Sequence, residues 1–171
     1  MRKFLLLFFT LILSISAFAI VDFSGINWKN SKGAIAPLFA NLKEEPSIDP
    51  NIKIFSATAP DKNISNYKFY FNNDELYMIR VIFNKETVRR EQMKEIYSKL
   101  TSTLGKPLPT KIIDKKIGNY KLRGNYIKFI PDATTGVYYI GVDTIDSKGN
   151  MIDSNLYLDY VDQLTVKEPQ L

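Results

Sequence analysis

The chain has 171 residues, 23 Lys and Arg against 18 Asp and Glu for a net charge of +5, and neither Cys nor His. These two absences remove disulfides, most zinc, copper and haem sites, the Ser-His-Asp and Cys-His nucleophile systems and the imidazole base. Carboxylate pairs and Ser-Lys arrangements survive as enzymatic options, and so mild a positive charge gives no argument for nucleic acid.

Met1-Arg2-Lys3 is a short positive segment, residues 4–18 are almost wholly apolar, and Ala17-Phe18-Ala19 has the small-x-small form of a cleavage site. This reads as a secretory signal peptide over residues 1–19, because the apolar run is shorter than the roughly 20 residues a bilayer span needs. Removing 19 of the 171 residues leaves 152, enough for one sizeable core; the net charge falls to +3 once Arg2 and Lys3 are gone. No Cys near the site can carry a lipid, and no later segment is apolar for long enough to span a membrane.

Past the leader, Phe23, Ile26 and Trp28 are apolar, and Ser31 is a suitable N-cap for a short helix through Ile35, Leu38, Phe39 and Leu42, with Pro37 limiting its length. Trp28, the single tryptophan, is expected as a core anchor rather than an exposed stacking surface. Residues 44–50 read as a loop, 51–59 as a first strand and 60–66 as a polar loop. Residues 67–71 and 76–83 form a hairpin about Asn72-Asn73-Asp74-Glu75, since Asn and Asp tolerate the positive φ of tight turns. By alternation Tyr77, Ile79, Val81 and Phe83 face one way and Leu76, Met78, Arg80 and Ile82 the other. A helix of about 87–104 follows on the stripe Val88, Met93, Ile96, Tyr97, Leu100 and Leu104, and Gly105 and Pro107 mark its end.

Beyond it, residues 108–116 are a loop or weak strand. Residues 120–123 and 126–130 are short strands parted by Gly124-Asn125, residues 137–145 a strong strand and 156–161 the closing one. Asp146-Ser-Lys-Gly-Asn150 lacks the alternating ligands of a calcium loop and reads as a plain hairpin turn. Residues 165–171 read as a loose tail. Seven basic residues between 106 and 130 and six aspartates between 131 and 162 are expected to pair across neighbouring strands. No internal repeat is visible.

The run Phe23-x-Gly-Ile-x-Trp-x-x-Ser31, with the hairpin, the helix ending in Gly-x-Pro and the final meander, resembles small exported bacterial α+β domains of unassigned function. The resemblance implies a fold and an envelope location, and no activity. The expected architecture is thus α+β: one mainly antiparallel sheet of about five to seven strands, over residues 20–164, carrying one long helix and a short N-terminal helix. The expected function is a non-catalytic binding or interaction domain of the cell envelope, without cofactor or metal, its partner another envelope protein or an anionic envelope polymer. A carboxylate-dependent hydrolase or transferase and a structural envelope protein are the alternatives. The candidate binding surface is the sheet face turned from the helix, with Tyr70, Met78, Arg80, Ile82, Tyr139 and Tyr157, whose composition suits an interaction surface.

Overall fold

The computed structural model describes Phe23, residues 26–39 and residues 41–171; the leader lies outside the described residues. The order of elements is α1 (Lys32–Ile35) with a 3-10 turn over Ala36–Leu38, β1 (Lys43–Glu45), β2 (Ile52–Thr58), β3 (Ile64–Asn72), β4 (Glu75–Phe83), α2 (Arg90–Leu104), β5 (Lys111–Ile117), β6 (Tyr120–Phe129), β7 (Thr135–Ile145) and β8 (Met151–Asp162). All eight strands form one antiparallel sheet in the order β1-β2-β3-β4-β8-β7-β6-β5.

The α+β balance expected from the sequence is therefore overturned: among the described residues the fold is a single eight-stranded antiparallel sheet with two short α-helices, of 4 and 15 residues. Three misread segments account for most of the difference. The edge strand β1 runs into the expected loop at 44–50, Gly124-Asn125 lies inside the continuous strand β6, and the edge strand β5 takes up most of the segment 108–116. The helix is shorter than 87–104 because Asn84 folds the preceding residues into a turn: its side chain accepts the Glu86 N–H at 2.9 Å and its carbonyl accepts the Val88 N–H at 2.9 Å.

Two layers of apolar side chains sandwich the sheet. On one face Ile35, Ile96 and Leu100 from the helices close over Phe55, Phe69, Phe71, Val81, Phe129, Val137 and Leu158. Phe23, Phe39 and Trp28 complete that layer; Phe39 and Phe69 lie 4.6 Å apart, and Trp28 Nε1 donates to Thr135 Oγ1 at 3.1 Å. The other layer holds Tyr77, Met78, Tyr126, Tyr138, Ile140, Val142 and Val161. A strand with apolar side chains on both faces is central and covered twice.

A bulge separates the two layers differently from plain alternation. Asn73 and Asp74 take positive φ of 51° and 65° in the β3–β4 turn, and the register then runs Phe71 opposite Leu76 but Tyr70 opposite Met78, leaving Tyr77 as the extra residue. Leu76 consequently packs on the helix side, and Tyr77 lies with Met78 on the far side. The expected facing of Leu76 and Tyr77 is reversed, because one inserted residue flips a strand's pattern.

Nor is the tail at 165–171 loose. Asp162 reverses the chain by accepting the Leu164 N–H at 3.0 Å and the Thr165 hydroxyl at 2.8 Å, and Val166, only 4% exposed, then packs on the far layer with Leu171.

Candidate functional site

Of the six residues expected to form a binding surface, three converge on the far face. Arg80 stacks its guanidinium 4.4 Å from the Tyr157 ring and 6.0 Å from the Tyr70 ring. Beneath it Asp159, fully buried, accepts from Arg80 Nε at 2.8 Å and Nη2 at 2.7 Å. Burial alone would lower the Arg80 pKa, but the Asp159 charge and the paired hydrogen bonds outweigh it and hold the guanidinium protonated. Ile82 is half-buried beside this group, opposite Tyr157 in the ladder. Met78 is 0% exposed, so it is core rather than surface. Tyr139 lies on the opposite, helix face: it pairs with Ile127 and Leu158, and its hydroxyl donates to the Met93 carbonyl of α2 at 3.1 Å. The expected surface is thus not one surface, and its centre is roofed by the chain's own tail.

A concavity lies on the helix side, where α2 stops covering the sheet. The register places Ile112, Asn125, Gly141 and Leu156 side by side in one row across β5, β6, β7 and β8. The parallel row toward the helix is Ile127, Tyr139 and Leu158, which α2 covers; the row on the other side is Asp114, Arg123, Asp143 and Ser154. A groove of about 650 Å³ opens between them, with Phe83, Leu156, Gly141 and Asn125 along its floor. Val88, Arg89 and Met93 form the helix wall, and Met151, Ile152, Asp153 and Asp143 the opposite one.

Two glycines make this floor. A Cβ on Gly124 would meet the Gly141 carbonyl oxygen at 2.0 Å, so glycine is what lets the two backbones approach there. A Cβ on Gly141 would meet nothing within 4 Å, which means that the space above it is the groove itself. Met151 and Ile152 are 65% and 53% exposed, and Met93 is 38% exposed, so the walls present flexible apolar side chains to solvent.

Charge in the groove is mostly committed. Lys85 donates to Asp153, which also accepts from Asn155 Nδ2 at 2.7 Å, and these bonds hold the Asp153 carboxyl below its ordinary range. Of the expected pairing of the basic 106–130 segment with the aspartates of 131–162, Arg123 and Asp143 do stand opposite each other, while the other aspartates take other partners. Asp159 takes Arg80, Asp153 takes Lys85, and Asp132, Asp146 and Asp162 accept backbone N–H groups in turns. Asp146, read as a plain turn residue, accepts the Lys148 and Asn150 N–H groups at 2.8 Å each. Among the described residues no cluster of three or more Asp or Glu is placed to hold a metal ion, and no helix is long and apolar enough to cross a membrane.

The groove was not foreseen from the sequence. Its available signal was the pair Gly124 and Gly141, each inside a segment of strand formers, where glycine marks close backbone approach; Gly124-Asn125 had instead been read as a gap between strands. Comparison with protein-family models, with curated proteins and with solved structures finds no match to this chain.

Proposed function

We propose that the chain is an exported, non-catalytic binding domain of the bacterial cell envelope, and that it holds a polypeptide segment of an envelope protein in the groove between α2 and strands β6 to β8. The signal-peptide pattern of residues 1–19 supports the export. The observation that carries the binding reading is the open floor at Gly141, flanked by exposed Met93, Met151 and Ile152 on an otherwise well-packed sheet. Apolar, adaptable walls with the Asn125 side-chain amide on the floor suit a peptide, whose side chains need small apolar pockets and whose main chain can meet that amide. The net balance of charge around the groove gives no comparable support to an anionic polymer. The rival, carboxylate-dependent chemistry, draws on Asp143 and Asp153, which line the same groove; an acid catalyst needs a raised pKa, whereas Asp153 is lowered by Lys85 and Asn155.

Filling the groove tests the reading. Gly141→Trp places an indole in the open space without meeting a neighbour at Cβ, so the melting temperature should stay within a few degrees. Peptides enriched from a displayed random library on the wild-type domain should lose at least about tenfold in affinity on this variant, a change of roughly 1.4 kcal/mol. Enriched peptides that bind Gly141→Trp and wild type alike would place the ligand elsewhere, and an enrichment that yields no binder would remove the peptide reading.

A further inference from the structure

The far face of the sheet is covered in part by the chain's own last residues. Residues 166–171 cross this face, and the polar contacts that hold them come from sheet side chains on four strands. Tyr138 of β7 donates its hydroxyl to the Lys167 carbonyl at 2.7 Å. Lys111 of β5 donates to Glu168 Oε1 at 2.9 Å, and Tyr126 of β6 donates to Glu168 Oε2. On β4, Arg80 donates to the Gln170 carbonyl and Tyr77 donates to Gln170 Oε1 at 3.3 Å. Val166 and Leu171 supply the apolar contacts at the two ends.

This is a pattern of recognition more than of ordinary packing. Two of the contacts go to main-chain carbonyls, at 167 and 170, which any residue supplies. One, the Lys111–Tyr126 pair, demands a carboxylate, and the two apolar ends ask for aliphatic side chains. The donors are built to last: burial raises the Tyr138 hydroxyl to about 12, with a smaller push from Glu168, so it remains a donor at any ordinary pH, and the buried Asp159 fixes the Arg80 guanidinium in place. The middle of the occupant is held by more exposed contacts than its buried Val166 end. The tail has no helix or strand of its own beyond Asp162, Glu168 is exposed, and its ion pair with Lys111 is 61% exposed on both sides. Exposed pairs of this kind hold weakly, so the tail opens more readily than the sheet beneath it.

We propose that the far face is a binding groove for an extended acidic peptide of a partner protein, of the form aliphatic-x-Glu-x-x-aliphatic, and that residues 166–171 occupy it in cis as a resident competitor. The inference is independent of the helix-side groove, since it concerns the opposite face.

A labelled synthetic peptide of residues 164–171, followed by fluorescence anisotropy, is the probe. A chain ending at Gln163 should bind it, and the same peptide with Glu168→Lys should bind at least about tenfold more weakly. The full chain should bind the unchanged peptide about 100-fold more weakly than the shortened one, because a tethered competitor acts at an effective concentration in the millimolar range. Because shortening also removes Val166 and Leu171 from the far layer, the full chain carrying Glu168→Lys gives a second route: its tail is unlatched but present, and it should bind the unchanged peptide more tightly than wild type does. If either of these proteins is folded by its melting curve and ignores the peptide, the proposal is wrong. Concentration-dependent dimerisation of the full chain that vanishes on shortening would also overturn it, by assigning the groove to the tail of a second copy.

Discussion

Among the described residues Arg80 and Asp159 form the most enclosed ion pair, in the sheet's far layer, with Arg80 only 11% exposed and Asp159 at 0%. Desolvation of two such charges offsets most of their attraction, so the pair adds little net stability while each partner depends on the other. Arg80→Met should therefore cost about 3–5 kcal/mol, since it strands a buried carboxylate, and adding Asp159→Leu should restore most of the loss. Urea melts of the single and double variants check this; a double variant no more stable than the single would show that the pair itself, and not the stranded charge, matters. Both residues were readable as charges set in apolar strands, but their partnership was not, because it depends on β4 pairing with β8 across 79 positions of sequence. The facing of Tyr139 was hidden for a different reason. Val137, Tyr138, Tyr139 and Ile140 are apolar without a break, and a run apolar on both faces carries no parity signal.

At the level of elements, the helix was legible because its period is local, and Ile96 and Leu100 do form its buried stripe. Met93 and Tyr97, on the same expected stripe, stay at the margins, since a helix lying near the end of the sheet has a narrower covered face. The tail was illegible because a short polar segment gains its place from partners on four strands, none near it in sequence. That dependence makes it sensitive to pH. The Tyr126 hydroxyl and then Lys111 hold the Glu168 carboxyl below its ordinary value of 4.5. A carboxylate whose pKa is lower in the bound than in the free tail stabilises the bound form above the free value and loses that contribution as pH falls through the lowered one. The Val166 and Leu171 methyl resonances should thus be unchanged from pH 7 to about 5 and shift toward random-coil positions near pH 3. Resonances that hold their folded positions at pH 3 would show that the apolar ends alone seat the tail.

The whole molecule repeats a path that its sequence does not. A helical segment followed by a four-stranded meander occurs twice, as α1 to β4 and α2 to β8, and both helical segments lie on the same face. The last strands of the two halves, β4 and β8, meet at the centre of the sheet, and the middle rung of their five-pair ladder is Arg80 opposite Asp159. A twofold axis normal to the sheet through that rung interchanges the strand order, which is why no residue-level repeat is needed to produce it. Across the seam the helix-side core draws residues from both halves. Cutting the seam exposes Met78, Ile79, Val81, Leu158 and Val161, all at most 2% exposed in the intact fold, along two unpaired strand edges. Split between residues 86 and 87, each half should lack a cooperative melt and native circular dichroism when purified alone. Mixed at equal concentration they should recover both, and the intact chain should unfold in a single calorimetric transition with matching calorimetric and van't Hoff enthalpies. A half that melts cooperatively by itself would mean that the two meanders are separate units joined at an interface, and that the buried rung at 80 and 159 is a contact between them rather than the centre of one core.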